Sequence, residues 1–272
     1  MLSMAVNHMA VPNMRYGEVL SLAAKLGCVG VEFRNDLHAP LFDGEPAKAA
    51  KTTARASGQR ILALAEIKAF NELTEDRLPE AQGIIAAAKG CGAEGVSLIP
   101  RNGGPALEKS AAMAGLRRAF ALLKPLFDDA GLLGFVEPLG FETSTLRLKA
   151  DALEAIDSIG GIATFRLIHD TFHHCLGGET EIYPNETAIV HVSGVTKADL
   201  APADMKDEDR GLVDGADQLG NVVQLRSLIS RGFDGPISFE PFAPEIHALD
   251  YPGAAIAASM EFLRSELAAI AA

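Results

Sequence analysis

The stretch GLRRAFALLKPLFDDAGLLGFVEPLG, residues 115–140, changes its apolar period at Gly131. Before that glycine, Leu, Ala and Phe recur at spacings of three and four, the pattern of a helix with one buried face. A glycine just past the last periodic residue is a C-terminal helix stop. LLGFVEP then starts at once, a short apolar run that reads as a buried strand and ends on a carboxylate, Glu137. Helix, glycine and strand joined with almost no loop form the repeating unit of a parallel α/β protein.

The same unit recurs in both directions. Strands are predicted at SMAVNH (3–8), CVGVEFR (28–34), RILALAEI (60–67), GVSLIP (95–100), LLGFVEP (132–138), FRLIHD (165–170), AIVHVS (188–193) and PISFEPF (236–242). Between most of them lie helical patterns such as YGEVLSLAAKLG and NVVQLRSLISRG, again closed by glycine. Eight strands alternating with helices predict an α/β protein of the (β/α)8 TIM-barrel class, with residues 1–272 as a single domain. An open doubly wound sheet would place a G-x-G-x-x-G loop after an early strand, and none follows strand one. The sixth unit is the weakest, because HHCLGGETEIYPNE after Asp170 supports only a short or irregular helix. Residues 194–217, GVTKADLAPADMKDEDRGLVDGAD, form a long polar loop and a candidate cover for an active site.

Composition narrows the function. Of 272 residues, 48% are hydrophobic and 22% charged, ordinary for a globular protein with a large core. A formal net charge of −12 without a Lys/Arg cluster argues against gripping nucleic acid or anionic lipid. Cys28, Cys91 and Cys175 are too few and scattered for a disulfide framework or a Cys-rich zinc site. The start MLSMAVNHMAV lacks the pattern of a signal peptide, and no apolar run approaches bilayer length, so a cytoplasmic enzyme is expected.

In a barrel, side chains at the C-terminal strand ends share one mouth. Strands five to eight offer Glu137, Asp170, His191 and Glu240 there. Three carboxylates brought together raise each other's pKa, and a divalent cation relieves that conflict. Three oxygen donors and one imidazole suit Mn²⁺, Mg²⁺, Co²⁺ or Zn²⁺. On its strand His169 alternates away from Asp170. Asn7, His8, Glu66 and Lys68 lie at the ends of the first and third strands, where they could line the mouth, and a structural role is the preferred reading of each. Of Glu32 and Arg34 in VEFRND, one is expected inward, with Glu32 as an interior ion-pair member.

The set FVEPLG, LIHDTFHH, IVHVSG followed by DEDRGLVDG, and ISFEPFAPE resembles the xylose-isomerase-like sugar isomerase and epimerase barrels, and within them the inosose (2-keto-myo-inositol) isomerases. The likeness runs the whole chain in strand order and is carried mainly by residues 132–245. It implies metal ligation by Glu137, Asp170, His191 and Glu240, with Glu137 and Glu240 as the acid/base pair. It also implies substrate contacts from His173 and Arg210, with Lys197 as a further candidate; Glu142, five residues past Glu137, is placed either to hold a substrate hydroxyl or to face solvent at the loop end. Lys197 stands where some epimerases carry an arginine and lacks its bidentate fork. GLVDG replaces a proline-glycine turn common in relatives.

The implied reaction is metal-assisted proton transfer on a small polyol or ketose of inositol or carbohydrate metabolism, through an enediolate. The alternatives are a ketose 3-epimerase, a hydroxypyruvate isomerase, or an inosose dehydratase on the same scaffold. An apurinic-site endonuclease conflicts with the net charge, and an inactive binding barrel conflicts with the intact glutamate pair. Assembly into a homo-oligomer is left open.

Overall fold

The computed structural model describes residues 2–268. Eight strands close into one parallel barrel in the order β1 to β8: Met4–Asn7, Gly30–Arg34, Arg60–Lys68, Gly95–Ile99, Leu133–Val136, Phe165–Asp170, Thr187–Val192 and Ile237–Phe239. Helices alternate with them: α1 Tyr16–Lys25, α2 Ala47–Ala56, α3 Leu78–Cys91, α4 Lys109–Ala130, α5 Lys149–Ser158, α6 Thr171–Gly177 and α7 Asn221–Ser230. After β8 come the short α8, Pro244–His247, and the closing α9, Pro252–Ala268. All eight expected strands are present, and α6 is the short helix foreseen after the sixth.

Two strands end earlier than their apolar runs. β5 stops at Val136 and β8 at Phe239, so Glu137 and Glu240 stand one residue beyond the ladder. Pro138 and Pro241 follow them, and proline has no N–H to continue strand pairing. The glutamates still donate their own N–H groups to Leu98 O at 3.2 Å and Val192 O at 2.9 Å. They are therefore held at the rim by the last bonds of the barrel. α4 begins at Lys109, earlier than the periodic run suggested, and ends on Gly131 at φ 68°.

Strand alternation separates two environments. Inward-facing Ala5, Phe135, Ile168 and Ile189 join Leu62 and Ala63 in a plug inside the barrel. Two residues further along each strand, on the same face, stand Asn7, Glu137, Asp170 and His191. The apolar plug is thus the floor of the polar mouth. Outward residues such as Val31, Phe33, Val136, Leu167, Val190 and Phe239 pack against the helices in the main core.

His169 lies on that outer side, as alternation requires. It is fully buried, its Nε2 is 2.9 Å from Gln224 Oε1 on α7, and its ring packs 4.7 Å from His174. His174 Nδ1 in turn faces Lys149 Nζ at 2.8 Å. Burial, then Lys149 and His174, push the His169 pKa down to about 3, and burial with Lys149 brings His174 to about 4. Both histidines therefore fold neutral. The unfolded chain binds their protons below about pH 6.5, so their stabilisation is complete above that pH and is lost as pH falls toward 4. For His169 alone the loss at pH 4.5 is on the order of 2–3 kcal/mol. Melting temperature measured from pH 7 to 4.5 should fall for the wild type and fall visibly less for His169→Asn; parallel curves would contradict this assignment.

Candidate metal centre

Glu137, Asp170, His191 and Glu240 converge at the C-terminal mouth of the barrel. Each offers one ligand atom, these atoms lie within 4.8 Å of one another, and all four residues are buried. Ligands on a cation at about 2.1 Å are separated by about 3 Å at right angles and about 4.2 Å across the ion. The spacing therefore suits a single cation.

The histidine is oriented for such a role. His191 Nε2 meets Glu32 Oε2 at 3.1 Å, so Glu32 is the interior partner expected of it. The other ring nitrogen, Nδ1, is buried without a hydrogen bond and lies 3.3 Å from Glu240 Oε2 and 3.5 Å from Glu137 Oε1. A carboxylate behind one ring nitrogen is the usual support of a metal-bound imidazole, and the other, Nδ1, is the atom that would ligate once it gives up its proton. This orphaned buried nitrogen and the mixed donor set both fit a divalent ion.

Asp170 has two tasks. Oδ1 accepts the His173 backbone N–H at 2.9 Å and caps α6, while Oδ2 accepts Arg210 Nη2 at 2.6 Å. Burial works against its charge, and Arg210 and His173 together hold its pKa below the usual carboxylate range. Glu240 is also opposed by burial, yet His191, Arg210 and Arg34 keep it well below that range. Glu137 has no arginine partner. Burial pushes it up to about 7, helped by Glu240 and Asp170 and resisted by His191. His191 is opposed by burial too, but Glu32, Glu240 and Glu137 raise it well above its ordinary value.

The other expected residues fall into two groups. His173 and Arg210 belong to the mouth. His173 is buried, with Nδ1 unpartnered and its ring edge-on to Phe141 and Phe172 at 5.1 and 5.2 Å. Burial lowers its pKa, which keeps it neutral. Arg210, 1% exposed, bonds Asp170, Glu240, Asp207 and Ser193 and lies over the rings of Phe172 and Phe242. Glu142 is exposed on the β5–α5 connection and lines a cleft with Lys109, Thr145 and Arg147. Lys197 is largely exposed and paired to Asp209 within the loop after β7. Neither side chain has a hydrogen bond to the four central residues.

Three neighbours of the centre were given no role in it from the sequence. Asn7, read as structural, donates Nδ2 to Glu240 Oε1 at 3.1 Å. Arg34 faces inward together with Glu32 and donates Nη1 to the same oxygen at 2.6 Å. Residues two apart on a strand share a face, so the inward reading of Glu32 already implied Arg34. Phe242 lies beneath both arginines.

Two glycines shape the cover. Gly194 and Gly211 exchange backbone hydrogen bonds of 2.8 and 2.7 Å and pin the loop after β7, where a Cβ at Gly194 would meet Leu212 O at 2.5 Å. The loop's Val195 and Met205 pack with Phe172 and Leu219 in a small apolar cluster. A Cβ at Gly140 would collide with His173 O and Gly177 N, so the β5–α5 loop can approach α6 only through glycine. Gly140→Ala should lower unfolding free energy by about 1–3 kcal/mol in urea titration. An unchanged midpoint would show that the contact tolerates a methyl group. A separate apolar cleft of about 1010 Å³, lined by Leu2, Val223, Phe233 and Leu267, opens at the opposite end of the barrel. It contains none of this chemistry.

Fold and site together define a parallel (β/α)8 barrel with a buried carboxylate–histidine centre able to hold a divalent ion at its C-terminal mouth. The family model described as xylose isomerase-like TIM barrel matches residues 20–266, and the chain belongs to that family. Among solved structures, a xylose isomerase domain containing protein from Salmonella typhimurium LT2 is similar over 98% of this chain and 97% of its own, at 27% identity and TM-score 0.87. An IolI protein crystallised with a zinc atom matches at 20% identity and TM-score 0.82, covering 98% of this chain and 99% of the other. An L-ribulose 3-epimerase matches at 16% identity and TM-score 0.73, covering 99% and 95%. No curated protein sequence matches this chain. Among the described residues, no helix is long and apolar enough to cross a membrane.

Proposed function

We propose that this protein is a divalent-metal-dependent isomerase or epimerase of a keto-inositol (2-keto-myo-inositol) or a related ketose, working by proton transfer through an enediolate. The observation that carries this reading is the pair of buried glutamates within one ion-sized cluster, held in different protonation regimes. Glu240 is held as a carboxylate across the neutral range by His191, Arg210 and Arg34, and we assign it as the proton acceptor. Glu137, pushed up to about 7, is protonated in about half of the molecules at neutral pH and can exchange a proton there. The IolI protein's zinc atom and the activity in the name of the L-ribulose 3-epimerase support the reading by fold.

Glu137, Asp170, His191 and Glu240 would hold the ion. When bound, it supplies Lewis-acid stabilisation of negative charge on substrate oxygens. The chain's own residues do the rest. Glu240 Oε1 is tied to Asn7 and Arg34, while Oε2, which accepts Arg210 Nη2 at 2.9 Å, faces the centre. His173, neutral and with a free Nδ1, is placed to bond a substrate hydroxyl. Arg210 supplies N–H donors to substrate oxygens, and the loop pinned by Gly194 and Gly211 keeps water from the mouth. Glu142 and Lys197 would act only at the rim.

A turnover screen with manganese against 2-keto-myo-inositol, ketohexoses and hydroxypyruvate tests this. The expected product has the mass of its substrate and appears fastest from a keto-inositol or ketohexose. A product lighter by one water would replace the isomerase reading with a dehydratase.

A further inference from the structure

Glu240 is gripped on both oxygens, and the two grips differ. Oε1 receives Arg34 Nη1 at 2.6 Å and Asn7 Nδ2 at 3.1 Å. Arg34 is itself fixed by a fork onto Asp36, Nε to Oδ1 at 2.8 Å and Nη2 to Oδ2 at 2.7 Å, and lies 5.6 Å from the Phe242 ring. Oε2 receives Arg210 Nη2 at 2.9 Å, and that same nitrogen holds Asp170 Oδ2 at 2.6 Å. Asp170 Oδ1 is already taken by the cap of α6. Arg210 therefore sits on the two carboxylate oxygens that no other hydrogen bond occupies.

We propose that the two arginines act in opposite senses on cation binding. Arg34 is a positioning residue that, with Asn7, pins Glu240 Oε1 and turns Oε2 toward the centre. Arg210 is a resident counter-ion that holds the facing oxygens of Asp170 and Glu240 and yields them to the cation. The inference rests on the metal-centre reading above and adds how the chain governs that site.

The physical case is direct. A donor N–H and a cation compete for the same carboxylate lone pairs, and in a buried site a guanidinium repels a second positive charge strongly. Arg210 need not leave the mouth when it yields. Asp207 and Ser193 retain its other nitrogens, Phe172 and Phe242 flank its plane at 4.9 and 4.4 Å, and its carbonyl accepts Phe242 N and Ala243 N. Its Nη2 is then a free donor beside the ion, so loading the cation prepares a contact for a substrate oxygen. Arg34 touches only the oxygen turned away, and its fork on Asp36 leaves it no reason to move.

Calorimetric titration of Mn²⁺ into chelator-treated protein tests both halves without any substrate. Arg34→Met should weaken Mn²⁺ binding by about 10–100-fold. Arg210→Met should tighten it by about tenfold or more, while lowering the melting temperature of the metal-free form more than that of the loaded form. In a Glu240→Gln background the Arg34→Met effect should shrink to under about threefold, because the positioned group is gone. Arg210→Gln carries the same expectation if the methionine variant does not fold. Weakening by both variants, tightening or no change in Arg34→Met, or an undiminished effect in the Glu240→Gln background overturns the proposal. A wild type that binds no Mn²⁺, Zn²⁺ or Co²⁺ overturns the metal centre itself, a result distinct from the others.

Discussion

Glu240→Gln, assayed with saturating Mn²⁺, should slow exchange of the substrate α-hydrogen with D₂O by about 10²–10⁴-fold. The glutamine side chain has almost the same shape but cannot accept the proton from carbon, so the loss falls on the chemical step. Saturating metal matters because the amide is also a poorer ligand. The fold should persist despite the buried location. Arg34 keeps its fork on Asp36, and Arg210 keeps Asp170 and Asp207, so neither guanidinium is stranded without a carboxylate. Circular dichroism and the exchange rate together check the claim. Exchange at the wild-type rate in folded Glu240→Gln would remove Glu240 from the role of proton acceptor and leave Glu137 as the remaining candidate.

The route from sequence to site was short for the second half of the chain and longer for the first. Strands five to eight each end on an ionisable side chain after an apolar run, so their shared barrel mouth brought Glu137, Asp170, His191 and Glu240 together in the reading, and period-two alternation turned His169 away from Asp170. Gly131, Gly27 and Gly232 mark helix ends at positive φ, which is why the helix–strand junctions were readable. Arg34 and Asn7 were harder. Their partner, Glu240, is more than 200 residues away, and only barrel closure between β1 and β8 brings those strands side by side. No local pattern announces that meeting, although the shared face of Glu32 and Arg34 was a usable clue. The loop after β7 shows the other limit. DEDRG fixes neither chain direction nor pairing by itself, and it is the Gly194–Gly211 exchange and the apolar contacts of Val195 and Met205 that turn Arg210 inward while Lys197 stays outside with Asp209.

Removing divalent metal should abolish turnover, and restoring one of Mn²⁺, Co²⁺, Zn²⁺ or Mg²⁺ should recover it. Without the ion, negative charge developing on the substrate would face two ionised carboxylates, and the arginines would be engaged in neutralising those same groups. Asp170 is the ligand at which this can be separated from folding. Asp170→Ala removes both a ligand oxygen and the cap of α6, costing about 1 kcal/mol of stability from the cap alone and well over tenfold in metal affinity. Asp170→Asn retains a side-chain oxygen for the His173 N–H, and asparagine caps helices as well as aspartate does, so it should melt closer to wild type than the alanine variant. It nevertheless lacks the charge a cation needs and should bind metal more than about tenfold more weakly. Bound metal measured by elemental analysis after dialysis distinguishes the cases. Wild-type metal content in Asp170→Asn, or full turnover in the presence of excess chelator, would mean that these buried carboxylates are held together by Arg210, Arg34 and His191 alone.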